Sequence, residues 1–186
     1  MATLAPHEIT RLVELTEAAA YAEWITASSE QTASQLGLSC EQLGSATALI
    51  MSELDVSLFN RVLGVGVVEP ATEELIDHIS ALYAAPGNSF VVPIAPTAQP
   101  PAVVNWLEQR GIKRRGNWVK LYRGNNAPSE IPTDLRIASI GSEYAEAFAH
   151  IGLTAFEVGR PRSQNCGRLR TQHFAEMQAT LDHYNL

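Results

Sequence analysis

The string Arg61-Val-Leu-Gly64-Val-Gly66 places an arginine and two glycines before an expected helix, a spacing that suits phosphate binding. Backbone N–H groups of such a string can hold a pyrophosphate where a helix begins. The same string is typical of a strand end whose glycines allow a bulge or close packing. The helix start at Thr72 lies several residues further on, and the acidic residues around it repel phosphate. We therefore favour the structural role, with phosphate binding as the alternative. The acidic residues are Glu69, Glu73 and Glu74.

A second string with binding potential is Gln164-Asn-Cys-Gly167-Arg168-Leu169, which precedes an expected helix. Positive charge surrounds it and suits a phosphate group, because guanidinium groups form charge-assisted hydrogen bonds with phosphate oxygens. However, Leu169 stands where a third small residue would let a ligand approach the backbone closely. We therefore favour a solvated basic tail or an interface helix over a ligand site. The surrounding arginines are Arg160, Arg162, Arg168 and Arg170.

Histidine and cysteine spacing matches no common metal or redox motif. The five histidines form no H-x-x-x-H or H-E-x-x-H pattern, so we expect no metal site. The two cysteines, Cys40 and Cys166, lie far apart in the sequence and form no metal-binding or redox pair. We interpret both as free thiols in a reducing compartment.

Composition narrows the class of protein. A chain of 186 residues with 46% hydrophobic residues is expected to form one domain, or one domain and part of a second. The formal net charge of -7 argues against a nucleic-acid partner, which requires a basic face. No apolar run approaches the roughly 20 residues of a membrane span, and the N-terminus does not resemble a signal peptide. We therefore expect a cytoplasmic protein without a membrane partner.

Hydrophobic periodicity predicts an alternation of helices and strands. Helical spacing covers residues 6–26, and Ser28 or Ser29 is the expected cap of a second helix that ends at Gly37. Thr72 is the expected cap of a third helix, and a fourth follows two prolines. Strands alternating with helices imply a mixed or partly parallel sheet covered by helices. The predicted strands are residues 45–54, 56–68, 89–95 and 117–124.

Residues 124–134 contain many turn-forming residues and no apolar run, so they are the best domain boundary in the chain. Residues 135–156 read as strand, turn and helix, with Gly141 or Ser142 as the helix cap. This pattern is the opening of a second α/β unit. A basic loop and a final helix from about residue 170 to residue 184 follow it.

Three stretches of this chain carry a family resemblance. They are FNRVLGVGVVEPATEELIDHISALY, PPAVVNWLEQRGIKRRGNWVKLYRG and DLRIASIGSEYAEAFA. Together they resemble a subgroup of GNAT-type N-acetyltransferases over roughly residues 55 to 156. The resemblance implies an α/β fold with a GNAT-like mixed central sheet flanked by helices. It also implies a degenerate GNAT-like domain at residues 1–124, a linker at 125–134 and a second GNAT-like unit at 135–186. We expect that second unit to be truncated, because most of the catalytic half has no counterpart here.

The resemblance implies transfer of an acetyl group from acetyl-CoA to an amine, either on a small molecule or on a protein N-terminus or lysine. Glu53 is then a candidate general base and Tyr122 a candidate acid for the leaving thiolate. The alternative is a non-catalytic GNAT-like scaffold, which could form a homodimer to cover exposed strand edges. The candidate cofactor-binding residues are those of the two strings: Arg61, Gly64 and Gly66, or Gln164, Gly167 and Arg168.

Overall fold

The computed structural model describes residues 4–85, 87–127, 129, 131–136 and 138–155. In this part of the chain, helices lie on both faces of a small sheet, which confirms the α/β class. A 3-10 turn at Ser142–Tyr144 leads into the last helix. The helices are α1 (Pro6–Thr26), α2 (Glu30–Leu36), α3 (Glu73–Ala84), α4 (Val103–Gln109) and α5 (Ala145–Ala155). The strands are β1 (Leu38–Leu43), β2 (Ala46–Met51) and β3 (Arg61–Leu63).

Helix boundaries follow local signals in the sequence. The first helix covers the predicted residues 6–26. Ser29 is the cap of α2, since its hydroxyl accepts a hydrogen bond from the backbone of Thr32. Gly37 ends α2 in the left-handed conformation, with φ of 60°, which a glycine adopts without steric cost. Thr72 caps α3 in the same way as Ser29 caps α2, so both predicted caps are confirmed.

The regular sheet is antiparallel, in the order β1-β2-β3. A two-residue turn that starts at Gly44 connects β1 to β2, and its φ of 61° suits a tight hairpin. The parallel component of the predicted mixed sheet is one isolated bridge, between Arg61 and Val91. The sequence did not predict β1, whose Leu38 and Cys40 pack in the layer of α1 and whose Leu43 packs in the layer of α3.

The predicted strands are all shorter than expected or missing, and residues 45–54 and 56–68 become Ala46–Met51 and Arg61–Leu63. Of residues 89–95 only Val91 pairs, and Pro93 deprives this stretch of a donor. The prediction of a strand at 117–124 is wrong, because these residues have no regular secondary structure and no partner strand among the described residues. No strand forms at the described residues of 135–140 either.

Buried side chains fill the spaces above and below the sheet. Every residue of β2 is buried, which explains why five of its six residues are apolar. Alternate residues face opposite layers, as the twofold period of a strand requires. Ala48 and Ile50 pack with α3 in one layer, and Leu49 packs with α1 in the other. Each fully buried aliphatic side chain of this kind contributes roughly 1.5–3 kcal/mol to folding.

Within the described ranges, no helix has both the length and the apolar character that crossing a membrane requires. Cys40 is a half-buried free thiol, and its burial raises the pKa of that thiol. Cys166 lies outside the described residues.

Candidate functional site

Two glycines, Gly64 and Gly66, follow β3, and Gly66 allows another backbone segment to pack closely against it. Gly64 and Gly66 have φ values of 80° and 72°, which side chains with a Cβ rarely adopt. The carbonyl of Gly66 accepts a hydrogen bond of 2.7 Å from the backbone N–H of Gln99. A Cβ added at Gly66 would lie 2.6 Å from the carbonyl oxygen of Gln99. The predicted close packing is therefore confirmed at Gly66, against residues 98 and 99, whereas a Cβ at Gly64 would make only an ordinary contact of 3.5 Å with Ser45.

The start of α3, near this loop, carries negative charge and has its first donors occupied. The backbone N–H of Leu75 donates to the hydroxyl of Thr72 at 3.2 Å. Hydrogen bonds from its own backbone N–H and from Thr72 lower the pKa of Glu74. The free space beside Gly66 is a cavity of about 210 Å³, whose wall includes Glu69. This helix start therefore favours an acidic side chain over a second anion.

Arg61 opens β3, and its side chain is fully buried, with no exposed surface. Its Nη1 lies 3.2 Å from Oε1 of Glu17 on α1. The guanidinium carbon lies 3.8 Å above the ring centroid of Tyr21 and 5.5 Å from that of Trp118. These rings place the faces of two π-systems against a cation. Nε and Nη2 of Arg61 have no hydrogen-bond partner among the described residues.

Lys120 meets two carboxylates of α1. Its Nζ lies 2.5 Å from Oε1 of Glu14 and 2.5 Å from Oε2 of Glu17. Burial alone would lower the pKa of Lys120, but the hydrogen bonds to Glu14 and Glu17 outweigh it and the pKa is raised. Only 6% of the Glu14 side chain is exposed, and its Oε2 has no hydrogen-bond partner among the described residues. We call Glu14, Glu17, Arg61 and Lys120 the ion cluster.

A groove lies beside the ion cluster. It has a volume of about 790 Å³ and runs between α1 and residues 117–123. Leu12, Val13 and Ala20 supply an apolar wall, and Glu17 with Lys120 supplies charge. We call residues 117–123 the strap, because they lie along α1 without joining the sheet.

The candidate catalytic residues lie on different parts of the surface. Tyr122 belongs to the strap, lines the groove and is exposed. Glu53 is exposed in the turn after β2. No hydrogen bond or ion pair among the described residues joins Glu53 to Tyr122, so the structure does not show them as an acid–base pair. The second predicted binding string, with Gln164, Gly167 and Arg168, lies outside the described residues.

The ion cluster is the arrangement that sequence reasoning missed. A signal was present in α1, because Glu14 shares the buried face of the helix with Ala18 and Ile25 at helical spacing. Leu12, although apolar, is exposed on another face of this helix. An acid on a buried helix face predicts a buried cationic partner, since an unpaired buried charge is very costly.

Metal ligands do not converge in the described part of the chain, where no group of three or more His, Cys, Asp or Glu side chains could hold a metal ion. Comparison of the chain with protein-family models, with curated proteins and with solved structures finds no match.

Proposed function

We propose that the described part of the chain is a GNAT-like scaffold that binds a second copy of the chain through the strap. The observation that carries this proposal is the unpaired backbone of residues 117–123, in which Val119 and Leu121 are exposed while Lys120 contacts α1. No backbone–backbone hydrogen bond joins the strap to another described residue. Such a segment is an open strand edge that can add a strand from another chain.

The side chains of the strap suit such an association. Val119 is 83% exposed and Leu121 is 90% exposed, while Lys120 between them points to α1. An antiparallel pairing centred on Lys120 would place Val119 opposite Leu121 of the other copy. It would also place Trp118 opposite Tyr122. Aromatic and branched cross-strand pairs of this kind each contribute roughly 0.2–1 kcal/mol.

The packing around Gly66 supports a scaffold role for this unit. In the family that the sequence resembles, the cofactor loop lies between a strand and a helix. Here the loop after β3 packs on Gln99, and the side chain of Arg61 pairs with Glu17. These contacts use the loop for folding, and Glu69 in the wall of the cavity beside Gly66 repels a pyrophosphate.

The test is the mass of the full chain in solution, measured by light scattering on a sizing column. A monomer has a mass of 20.2 kDa, and we expect twice that value at about 100 μM, where a dimer of micromolar affinity is populated. A Val119→Lys/Leu121→Lys variant should be a monomer, because edge lysines block strand addition. Ile131→Lys, which also charges a highly exposed apolar residue, is the matched control and should remain a dimer. A monomeric wild-type chain would refute the proposal.

Acetyl transfer from acetyl-CoA to an amine is the second candidate function. A specific feature favours it: β3, a loop with two glycines, α3 and a parallel bridge at Val91 follow one another in the chain. That order suits the resemblance, in which a thioester carbonyl would bind a backbone N–H of a splayed strand. The acceptor amine would belong to a small molecule, a protein N-terminus or a lysine.

Calorimetric titration of the full chain with acetyl-CoA tests this second candidate. Binding that is lost in Gly64→Glu but retained in Gly167→Glu would assign the cofactor to the loop after β3. The reverse pattern would assign it to the string at residues 164–169. Absence of heat at about 1 mM acetyl-CoA would exclude even millimolar affinity and refute this candidate.

A further inference from the structure

We propose that Glu14 and Glu17 form a binding site for a primary ammonium group, which Lys120 of the same chain occupies and which an external alkylammonium can take over. The ligand class is a primary amine on an apolar chain, such as the side chain of a lysine in another protein or a free diamine. The site binds the ligand, and no chemical step is assigned to it.

Lys120 itself shows which chemistry the site accepts. Its ammonium group lies 2.5 Å from one oxygen of each carboxylate, Glu14 and Glu17. An ammonium group donates charge-assisted hydrogen bonds to carboxylate oxygens. An ammonium group has three donors, and Oε2 of Glu14 remains without a partner. The site therefore has acceptor capacity that the lysine does not use.

The neighbouring charges help to keep the site selective. Arg61 is fully buried and pairs with Glu17 through Nη1, so its positive charge limits the site to one further cation. Metal ions are poor competitors, because only the two carboxylates converge with Lys120 in the described structure. The groove of about 790 Å³ beside the cluster supplies space and an apolar wall for an alkyl chain.

An external ammonium can displace Lys120 from Glu14 and Glu17, because few contacts hold the strap against α1. It has no backbone–backbone hydrogen bond to other described residues, and both neighbours of Lys120 are among the most exposed apolar residues. Its anchors on the rest of the chain are the ion contacts of Lys120 and the approach of Trp118 to Arg61. A competing ammonium makes the same ion contacts with Glu14 and Glu17 that Lys120 makes, so the exchange leaves no buried carboxylate unpaired.

The experiment measures n-butylammonium binding to the full chain by calorimetry. We expect Lys120→Ala to bind n-butylammonium about tenfold more tightly than wild type does, because the site is vacated. Lys120→Met is the matched control, since its apolar side chain fills the same space without charge. Butanol, of similar shape but neutral, should not bind either variant. Lys120→Met should bind n-butylammonium more weakly than Lys120→Ala does, because its side chain keeps the alkyl space filled. Equal binding of n-butylammonium to wild type and to Lys120→Ala would overturn the proposal.

A second measurement uses the wild-type chain and does not depend on the folding of a variant. Hydrogen exchange at residues 117–123 should become faster in saturating n-butylammonium, because the strap loses its Lys120 anchor. An unchanged hydrogen-exchange rate at saturation would show that n-butylammonium does not displace Lys120, and it would overturn the proposal.

The source of the amine is distinguished by two further probes, a short blocked peptide with one central lysine and 1,5-diaminopentane. Tighter binding of the peptide to wild type supports a protein partner, and tighter binding of the diamine supports a small molecule. If neither probe binds, the site is a purely structural ion cluster and the proposal fails. The same measurements on the Val119→Lys/Leu121→Lys variant, whose strap should not pair with another copy, separate a failure of this site from a failure of the dimer.

Discussion

The carbonyl of Gly66 accepts a 2.7 Å hydrogen bond from the backbone of Gln99, and the carbonyl of Gln99 accepts one of equal length from Ala71. This pair of bonds joins the loop after β3 to the segment that precedes α4. The backbone N–H and the backbone carbonyl of Gln99 thereby both have a hydrogen-bond partner, at a point where two backbone segments approach closely. The glycine at 66 is required because no side chain fits between the two segments.

We expect Gly66→Ala to destabilise the protein by about 3 kcal/mol. The left-handed conformation at φ of 72° costs an alanine roughly 1 kcal/mol, and the contact of its Cβ with Gln99 adds roughly 2 kcal/mol of overpacking. Urea unfolding monitored by circular dichroism gives the change in the free energy of unfolding.

Gly111→Ala is the matched control for that measurement. Gly111 has a similar φ of 79°, but a Cβ there would meet no atom within 4 Å. We expect its cost to be about 1 kcal/mol, from the backbone conformation alone. Equal losses in the free energy of unfolding at the two glycines would show that Gln99 shifts easily to make room for a Cβ. The contact with Gln99 would then not be the reason that residue 66 is a glycine.

Substitutions of Glu17 and of Arg61, two members of the ion cluster, should lower the free energy of unfolding by different amounts. Glu17→Gln leaves the fully buried Arg61 without its carboxylate partner, and a guanidinium cannot release its proton. We expect a loss of about 3 kcal/mol. Arg61→Met should cost about 1 kcal/mol or less, because Glu17 still has Lys120 and an apolar chain fills the space.

Chemical denaturation of both variants beside wild type checks this order. A loss from Arg61→Met that equals the loss from Glu17→Gln would mean that Arg61 stabilises the fold mainly through Tyr21 and Trp118. In that case, an Arg61→Lys variant, which keeps the charge but lacks the planar group, would be as unstable as Arg61→Met.

Helix caps give a prediction that rests on local structure only. Thr72→Ala removes the acceptor for the backbone N–H of Leu75 and should cost about 1 kcal/mol. Thr10→Ala is the matched control, because the Thr10 hydroxyl donates to a carbonyl within α1 and alanine is the better helix former. Thermal melting should therefore show a lower Tm for Thr72→Ala and an unchanged or higher Tm for Thr10→Ala. Equal Tm values for the two variants would mean that the cap is replaced by water.

The sequence predicts the helices well because their signals are local. Ser29, Gly37 and Thr72 each act within four residues, and the structure uses each of them as predicted. The strands are harder, because a strand exists only where another strand pairs with it. The alternating residues 117–124 have strand character, but no described strand lies beside them. β1 was missed because polar and apolar residues mix within its six positions.

The ion cluster could not be predicted from spacing. Glu17 and Arg61 are 44 residues apart in sequence, and Glu14 and Lys120 are 106 apart. Only the packing of α1 on β3 and the path of the strap bring these side chains together. By contrast, the packing role of Gly66 was predictable, because valines around the glycines favour extended structure and acids occupy the next helix start.

Tyr83 gives a prediction about pH. Its hydroxyl donates to the carbonyl of Leu49 at 2.8 Å, and its ring stacks on Phe90 with centroids 4.4 Å apart. Burial raises the pKa of Tyr83 well above its usual value of 10.0, although the hydrogen bond to Leu49 lowers it. Below pH 10 the phenol is neutral in both the folded and the unfolded state. Tyr83→Phe should then cost about 1 kcal/mol, the net value of the lost hydrogen bond.

Above pH 10 the unfolded state releases the phenol proton while the folded state keeps it. The unfolded state then binds fewer protons, so the free energy of unfolding falls as pH rises, by up to about 1.4 kcal/mol per pH unit. The Tyr83→Phe variant lacks this pH-dependent loss of stability. Cys40 and Lys120, whose pKa values are also raised, change the free energy of unfolding with pH equally in wild type and in the variant. Urea unfolding at intervals from pH 8 to about pH 11 should therefore show the advantage of wild type shrinking above pH 10. A constant difference across that range would mean that the phenol ionises equally in the folded protein and is reached by water.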